Sequence, residues 1–369
     1  MAQDSGVPTL GAVGLKWATV VGEQPGWPGV QVLDIRPDDL PGTETALLYL
    51  DLMPPVAVGE RVLVNTTAEQ LELGSGGYQL VVSHAHAPQQ LSGEGHLIKL
   101  RYTPWQLKVF GPEEPGHPDH DRLSAATSLD GLPVAAAELY SQIAPLAAAF
   151  AQEAPGRRLV FVMNDSASLP YAFGRLAGEL RRAGLLAATI SAGQAFGAEV
   201  EAITVHSALL IARHLLAADA VVVSGGPGLL GSATPFGHTG MAQGEALNAA
   251  VALDGRPLCV LRMSGADRRE RHLGLSHHTR TVLDRLVLRP VTVALPQSCP
   301  PKLAQEVAEV LGDRHQVQPV EVDGRWHQRL DAAGIALRSM GRSYDDDRLF
   351  FDAAAAAGSQ LARWVSEGA

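Results

Sequence analysis

The chain has 369 residues, of which 46% are hydrophobic and 18% are charged, and its formal net charge is −10 at pH 7. This length is enough for two domains, and the composition excludes a chain too polar to bury a core. The acidic balance argues against a general binder of nucleic acid or of anionic membranes.

Three further features predict a cytoplasmic protein. The N-terminal segment MAQDSGVPTL has no basic residues followed by an apolar core, so we expect no signal peptide. The longest apolar region, SALLIARHLLAADAVVV, is interrupted by Arg213, His214 and Asp219, which argues against a membrane span. The chain has only two cysteines, Cys259 and Cys299, so we expect no disulfide framework.

Residues 1–109 are predicted to form a small all-β, barrel-like domain. Short apolar or alternating runs are separated by glycine or proline, and no convincing helix lies between them. The six candidate strands are KWATVV, GVQVLDI, TALLYLDL, ERVLVN, GYQLVVS and HLIKLRY. The proline-rich, charged segment that follows, residues 110–124, is predicted to be a linker.

Residues 125–369 are predicted to form a Rossmann-like α/β domain. Short apolar runs alternate with stretches of helical periodicity, and this alternation favours a mostly parallel sheet with helices on both faces. The late segment FFDAAAAAGSQLARWV predicts a terminal helix. The five predicted strands are RLVFVM, LAATIS, DAVVVS, PLCVLRM and VTVAL.

Each of these five strands runs into a long polar or glycine-rich turn. Because parallel strands point the same way, the five turns share one edge of the sheet, where ligands of doubly wound folds bind. Surface loops are polar in any protein, but these loops carry more Gly, His, Arg and Thr than a connection needs. We therefore expect a binding site at the carboxyl edge of the sheet.

The turn GPGLLG, residues 226–231, matches the glycine spacing of a dinucleotide-binding loop. A helix must open there and an acidic residue must follow, but Pro235 and Gly237 interrupt any helix and the next strand ends in RMSG without a carboxylate. The turn is then either a nest for an anionic group or a tight turn that needs positive φ. The predicted ligand-binding residues here are Gly226, Gly228, Gly231, Ser232 and Thr234.

Residues 264–286 concentrate arginines and histidines ahead of an apolar helical pattern. The pattern predicts a helix that begins near His277 with Ser276 as its N-cap. Free N–H groups at a helix start and forked arginine donors favour phosphate or carboxylate. The predicted anion-binding residues of this segment are Arg268, Arg271, His272 and Ser276.

His277 and His278 are the first candidates for proton transfer, and three roles are open to them. A helix start lowers the pKa of a histidine, which keeps the ring neutral and able to act as a base. A metal ion is disfavoured, because neighbouring side chains on a helix point about 100° apart, and we predict no metal ligands. The remaining role is capping or packing without chemistry.

Four more residues are secondary candidates. Asp165 follows RLVFVM and is a base, a cation ligand or an Asx-turn residue. His206 lies early in a helix and is either catalytic or a core histidine. Lys99 and Arg101 share one face of a strand, where they either help to bind an anion or form the wet side of the sheet.

Five segments resemble the bacterial family called domain of unknown function 3866. They are VLVNTTAEQLELGSGGYQLVV, HLIKLRYTPWQ, SAGQAFGAEVEAITVHSALL, GGPGLLGSATPFGHTG and RMSGADRRERHLGLSHHTRT. The likeness extends from about Leu15 to the C-terminal helix. Family members carry paired glycines at the segment MNDSASLP, where this chain has Ser166 and Ala167. The resemblance implies no activity, substrate or cofactor.

The sequence therefore favours an enzyme that hydrolyses a small anionic, phosphorylated or nucleotide-like ligand or transfers a group from it. The alternative is a non-catalytic metabolite-binding protein that uses the same crevice. RNA binding by the barrel is disfavoured by the net charge and by an aromatic content of 5%. The cofactor is not identified, and a homo-oligomer stays open.

Overall fold

The computed structural model describes residues 13–73, 76–85, 91 and 93–367. The chain divides into two compact units, residues 1–92 and 93–369, whereas we placed the boundary after residue 109. The N-terminal segment in which we expected no signal peptide lies outside the described residues. Within the described part of the chain, no helix is both long and apolar enough to cross a bilayer.

The first unit contains a closed five-stranded barrel. Its elements are β1 (Leu15–Trp27), β2 (Val30–Pro37), β3 (Glu44–Tyr49), β4 (Arg61–Asn65), α1 (Thr67–Gln70) and β5 (Tyr78–His84). The strand order is β1-β2-β3-β5-β4, and pairing of β1 with β4 closes the barrel. Alternate residues point inwards, and the interior includes Val20, Leu33, Leu47, Val62 and Val81. The predicted barrel is confirmed.

The sixth predicted strand, HLIKLRY, does not belong to the barrel. Its residues Leu97–Lys99 form β6, which pairs with β7 (Leu107–Val109) in a separate hairpin of the second unit. The strand stops because Leu100 and Tyr102 have φ of 52° and 59°, in the left-handed region that extended backbone cannot use.

The second unit is built on an eight-stranded parallel sheet. Its strands are β8 (Pro133–Ala136), β9 (Leu159–Asn164), β10 (Ala188–Ala192), β11 (Val200–Ala202), β12 (Ala220–Gly225), β13 (Arg256–Cys259), β16 (Thr292–Pro296) and β17 (Gln316–Val320). Two small ladders join β14 (Met263–Ser264) to β15 (Gly274–Leu275) and β18 (Arg338–Ser339) to β19 (Arg342–Ser343). The order in the sheet is β11-β10-β9-β12-β8-β13-β16-β17. All five predicted strands of this domain are present, and β8, β11 and β17 were missed.

Helices cover both faces of the sheet, as predicted. One face carries α3 (Ile143–Glu153), α4 (Arg175–Arg182), α9 (Trp326–Ala332) and α10 (Arg348–Glu367) around a core that includes Phe150 and Phe161. The other face carries α5 (Val205–His214), α6 (Met241–Ala252) and α8 (Pro301–Leu311) around a core that includes Leu209 and Leu247. α2 (His120–Ser124) lies in the segment predicted as a linker, and α7 (His277–Thr281) continues into a π-helical turn, Val282–Leu286.

The topology has a switch point at the carboxyl ends of β8 and β12. These neighbouring strands are followed by helices on opposite faces, because α3 follows β8 and α6 follows β12. Connections that diverge in this way leave space at the edge of a parallel sheet. The connections after β8, β12 and β13 therefore meet at one place.

Candidate functional site

Glu138, which follows β8 by two residues, is the buried anchor of the site. Its side chain has no exposed surface. Oε1 lies 2.5 Å from Nη1 of Arg262 and 2.7 Å from Nδ1 of His278. Neither Glu138 nor Arg262 was predicted: Glu138 follows the short apolar run PVAA, which was not recognised as a strand, and Arg262 lies within the predicted strand PLCVLRM.

Glu138 is ionised despite its burial. Removal from water on its own raises the pKa of a carboxyl group, but the hydrogen bond from His278 and the charge of Arg262 outweigh this effect, so the pKa of Glu138 is lowered. An ionised carboxylate only accepts hydrogen bonds. Nδ1 of His278 then donates to Oε1 of Glu138, so in the neutral ring the lone pair is on Nε2.

Four histidines form an imidazole cluster around this pair: His238, His272, His277 and His278. The rings of His238 and His278 are stacked, with centroids 3.7 Å apart and planes inclined by 6°. His272 and His277 lie 4.8 and 4.3 Å from His278. Only 5% of the surface of His238 is exposed, because its ring lies against His278.

The rings of His238, His272 and His277 are neutral near pH 7, because the pKa of each is lowered. Burial, assisted by the charge of Arg262, lowers the pKa of His272 to about 3. Burial, assisted by His278, lowers the pKa of His277 to about 4. We expected the helix start to lower the pKa of these histidines, but the larger cause is the removal of their rings from water.

Three of these histidines can share one metal ion. One ring nitrogen from each of His272, His277 and His278 lies within 4.8 Å of the other two. This convergence differs from the divergence of about 100° between neighbouring side chains of an ideal helix, on which our argument against a metal rested. Both rings turn towards the same side of the first helical turn, where no preceding turn restricts them.

The local structure of α7 is as predicted. The helix begins at His277, and Oγ of its N-cap Ser276 accepts a hydrogen bond from the N–H of His278. The same hydroxyl lies 2.8 Å from Nδ1 of His272. Ser276 is fully buried, so it orients His272 and does not itself reach a ligand.

The glycine-rich turn after β12 reaches the imidazole cluster through Gly231. A Cβ atom on Gly231 would lie 3.1 Å from Cε1 and 3.3 Å from Nε2 of His278. The backbone of Gly231 also forms a β-bridge with His238. No helix begins before Met241 in this connection, so the arrangement of a dinucleotide-binding loop is absent.

Other residues of that turn serve the turn itself. The hydroxyl groups of Ser232 and Thr234 lie 2.7 Å apart, and Ser232 also donates to the carbonyl of Gly237. Gly228 has a φ of 98°, and a Cβ on Gly226 would come within 2.3 Å of Oγ of Ser168. These contacts explain why these residue types stand in the turn, with no need for a ligand.

The arginines near the cluster differ in their availability. Arg262 is bound to Glu138, and Arg269 is paired with Asp267. Arg268 and Arg271 are exposed and form no ion pair with any residue that the structure describes. The charge of Arg271 contributes to the lowered pKa of His277, which places this arginine near the cluster.

The secondary candidates lie elsewhere. Asp165 accepts a hydrogen bond from the N–H of Gln194, 29 positions away, and so links the connections after β9 and β10. His206 is exposed on α5, which follows the edge strand β11. Lys99 is neither on a wet face nor available to an anion: it is buried, and its Nζ lies 2.5 Å from Oε2 of Glu201.

Arg101 is exposed, and its backbone N–H donates to the side-chain oxygen of Gln194. Among the predicted site residues, the structure thus brings together Gly231, His272, Ser276, His277 and His278, with Arg271 nearby.

Two of three comparisons with known proteins found no match: neither the curated proteins nor the solved structures contain one. The third comparison, with protein families, found the model described as "Protein of unknown function (DUF3866)" over residues 45–358. These residues are most of the chain, so the protein belongs to this family.

Proposed function

We propose that the imidazole cluster binds a small anionic ligand, phosphorylated or nucleotide-like, and catalyses its hydrolysis or the transfer of a group from it. One observation carries the proposal. Nε2 of His277 and Nε2 of His278 are buried and have no hydrogen-bond partner among the described residues. Buried polar atoms are normally satisfied, and exceptions are typical of functional sites.

The pair Glu138–His278 has the arrangement of a general base. Glu138 holds the proton on Nδ1 and leaves the lone pair of Nε2 facing the cluster. In a hydrolysis, the oxygen of water forms a bond to the phosphoryl or acyl centre while its proton passes to Nε2. The bond to the leaving oxygen then breaks, and that oxygen takes the proton from the imidazolium.

Arg271 and Arg268 supply the positive charge for an anionic ligand. Their guanidinium groups are exposed and not engaged in ion pairs with the described residues. Two forked donors suit the oxygens of phosphate or carboxylate. The glycine at position 231 keeps the approach to Nε2 of His278 free of a side chain.

The protein is proposed to work in the cytoplasm of a bacterium. The resemblance to a bacterial family and the two unpaired, buried cysteines support this assignment. The net charge of −10 disfavours nucleic acid as the ligand.

The test is a thermal-shift screen of the full chain with nucleotides and sugar phosphates. A ligand present at 100 times its Kd should raise the free energy of unfolding by about 2.7 kcal/mol. The double variant Arg268→Gln/Arg271→Gln should lose at least about tenfold in affinity, since a hydrogen bond to a charged group contributes about 1.5–3 kcal/mol. Arg289→Gln is the matched control, because Arg289 is exposed and precedes β16 at the opposite edge of the sheet.

If Arg289→Gln lost as much affinity as Arg268→Gln/Arg271→Gln, or if no anion stabilised the chain, the proposal would be contradicted. A ligand that binds in this way and is then converted to product supports the enzyme. A ligand that binds and is recovered unchanged supports the alternative, a non-catalytic metabolite-binding protein.

A further inference from the structure

We infer that His272, His277 and His278 bind one divalent transition-metal ion, with zinc as the best fit, each through Nε2. The inference concerns the same cluster as the proposed function but does not depend on it. An ion can bind there whether or not an anionic ligand is later turned over.

The distances suit a site that closes on its ion. One ring nitrogen of each histidine lies within 4.8 Å of a ring nitrogen of the other two. Tetrahedral zinc holds nitrogen ligands about 2.0–2.1 Å from the metal, and therefore about 3.3 Å from one another. Closing the remaining gap needs an approach of about 1.5 Å at most, which we assign to rotation of the imidazole side chains.

The hydrogen bonds at the other ring nitrogens are those of metal-bound histidines. A histidine that binds a metal through one nitrogen normally donates its other N–H to a carboxylate, a carbonyl or water. Nδ1 of His278 lies 2.7 Å from Glu138, and Nδ1 of His272 lies 2.8 Å from the Ser276 hydroxyl. Both contacts free Nε2 for an ion and fix the plane of the ring.

Burial provides a second and independent reason. His278 has 3% of its surface exposed, and its Nε2 has no partner among the described residues. His277 presents a second buried Nε2 in the same condition. A buried nitrogen without a hydrogen bond is costly, and one ion shared by these atoms removes that cost for both.

The ligand set implies an open coordination position. Structural zinc sites are closed by four protein ligands, whereas three histidines leave the fourth position to water or to an oxygen of the substrate. When bound, the ion lowers the pKa of its water and so supplies the nucleophile. The three Nε2 lone pairs are then held by the ion, and the imidazoles orient it instead of accepting the proton themselves.

The inference is tested on the full chain, treated with a chelator, dialysed and titrated with Zn²⁺ by calorimetry and with Co²⁺ by visible absorption. We expect one ion per chain and the spectrum of a tetrahedral cobalt centre. His277→Ala and His278→Ala should each abolish the stoichiometric site. Glu138→Gln should weaken binding by about 10–100-fold, as loss of an outer hydrogen-bond partner does.

His96→Ala is the matched control, because the side chain of His96 is fully exposed, and it should bind both metals as the unaltered chain does. Circular dichroism checks that each variant is folded. The half-buried His277 gives the decisive variant if replacement of the buried His278 prevents folding.

No stoichiometric binding by the folded chain, or equal binding by the His277→Ala variant, would overturn the inference. One ion per chain combined with no response to any anion would uphold the inference and count against the proposed function. An anion that binds and is turned over in the presence of chelator would support the proposed function and count against the inference.

Discussion

Nδ1 of His278 lies 2.7 Å from Oε1 of Glu138, although the two residues are 140 positions apart in the chain. The parallel sheet makes this contact, because β8 and β13 are neighbours and their following connections leave from the same edge. The contact fixes the tautomer of His278. Any chemistry at Nε2 of His278, with a proton or with a metal, therefore depends on Glu138.

Replacing Glu138 by alanine should strongly destabilise the protein. Arg262 would keep its charge with only 3% of its side chain exposed and without its partner. Breaking a buried ion pair in this way costs about 3–5 kcal/mol. Urea unfolding of the two chains measures the difference.

The double variant Glu138→Ala/Arg262→Met should be less destabilised than Glu138→Ala alone, because no unpaired charge remains buried. Asp345→Ala is the control, since it removes an exposed ion pair with Arg348 and should change stability little. If the loss of unfolding free energy in the double variant equalled the sum of the losses in Glu138→Ala and Arg262→Met, the two residues would not be coupled.

Valine at position 231 should block Nε2 of His278 while leaving the fold intact. Gly231 is exposed, but its Cβ position lies only 3.3 Å from that nitrogen. The branched side chain would occupy the space of an ion or ligand, so we expect loss of Zn²⁺ binding with an unchanged circular dichroism spectrum. Gly324→Val is the control, because no atom of the described residues lies within 4 Å of its Cβ position. Unimpaired Zn²⁺ binding by Gly231→Val would place the metal elsewhere.

The fold was predictable where a pattern is local. RLVFVM and DAVVVS are recognisable as strands because apolar β-branched residues run between polar turns. The central strand β8 is not recognisable, because PVAA is short and alanine has little preference for strands. Its burial comes from neighbours on both sides of the sheet. HLIKLRY shows the opposite case: it alternates like a barrel strand, but pairing with a distant segment decides its sheet.

The same difference between local patterns and long-range contacts decides which parts of the site were predictable. The start of α7 at His277 and the cap at Ser276 depend on adjacent residues, and both were predicted. Glu138 was missed because β8, the strand that it follows, is not recognisable from PVAA, and its partners Arg262 and His278 are more than 120 positions away. The convergence of His277 and His278 was missed because an ideal helix does not describe side-chain rotation at a first turn.

Glycine-to-alanine substitutions in two helices should have opposite effects. At Gly358 in α10, a Cβ would meet the carbonyl oxygen of Leu146 at 2.1 Å, so α3 and α10 would be forced apart. Overpacking of this kind costs about 1–3 kcal/mol. At Gly178 in α4, a Cβ would have no atom from the described part of the chain within 4 Å apart from its own helix backbone and chain neighbours, so alanine should stabilise the helix by about 0.8–1 kcal/mol. Thermal melts of both variants test the close approach of α3 to α10, and a gain at Gly358 would refute it.

His315 should make the protein less stable in mild acid. Its Nε2 donates to the carbonyl of Leu283, its Nδ1 accepts from the N–H of Val291, and burial lowers its pKa below the usual 6.5. Above pH 6.5 the ring is neutral in both folded and unfolded chains, so pH has no effect through it. Below pH 6.5 the unfolded chain gains the proton first, and the free energy of unfolding falls until the lowered pKa is reached.

The variant His315→Gln isolates this contribution. Glutamine keeps a donor for Leu283 and cannot be protonated, while every other histidine contributes equally to both chains and cancels in the difference. The stability advantage of the unaltered chain over the variant should therefore shrink between pH 7.5 and pH 5 in urea unfolding. Parallel pH profiles would mean that His315 takes up a proton in the folded chain. Nδ1 of His315 would then no longer accept the hydrogen bond from the N–H of Val291.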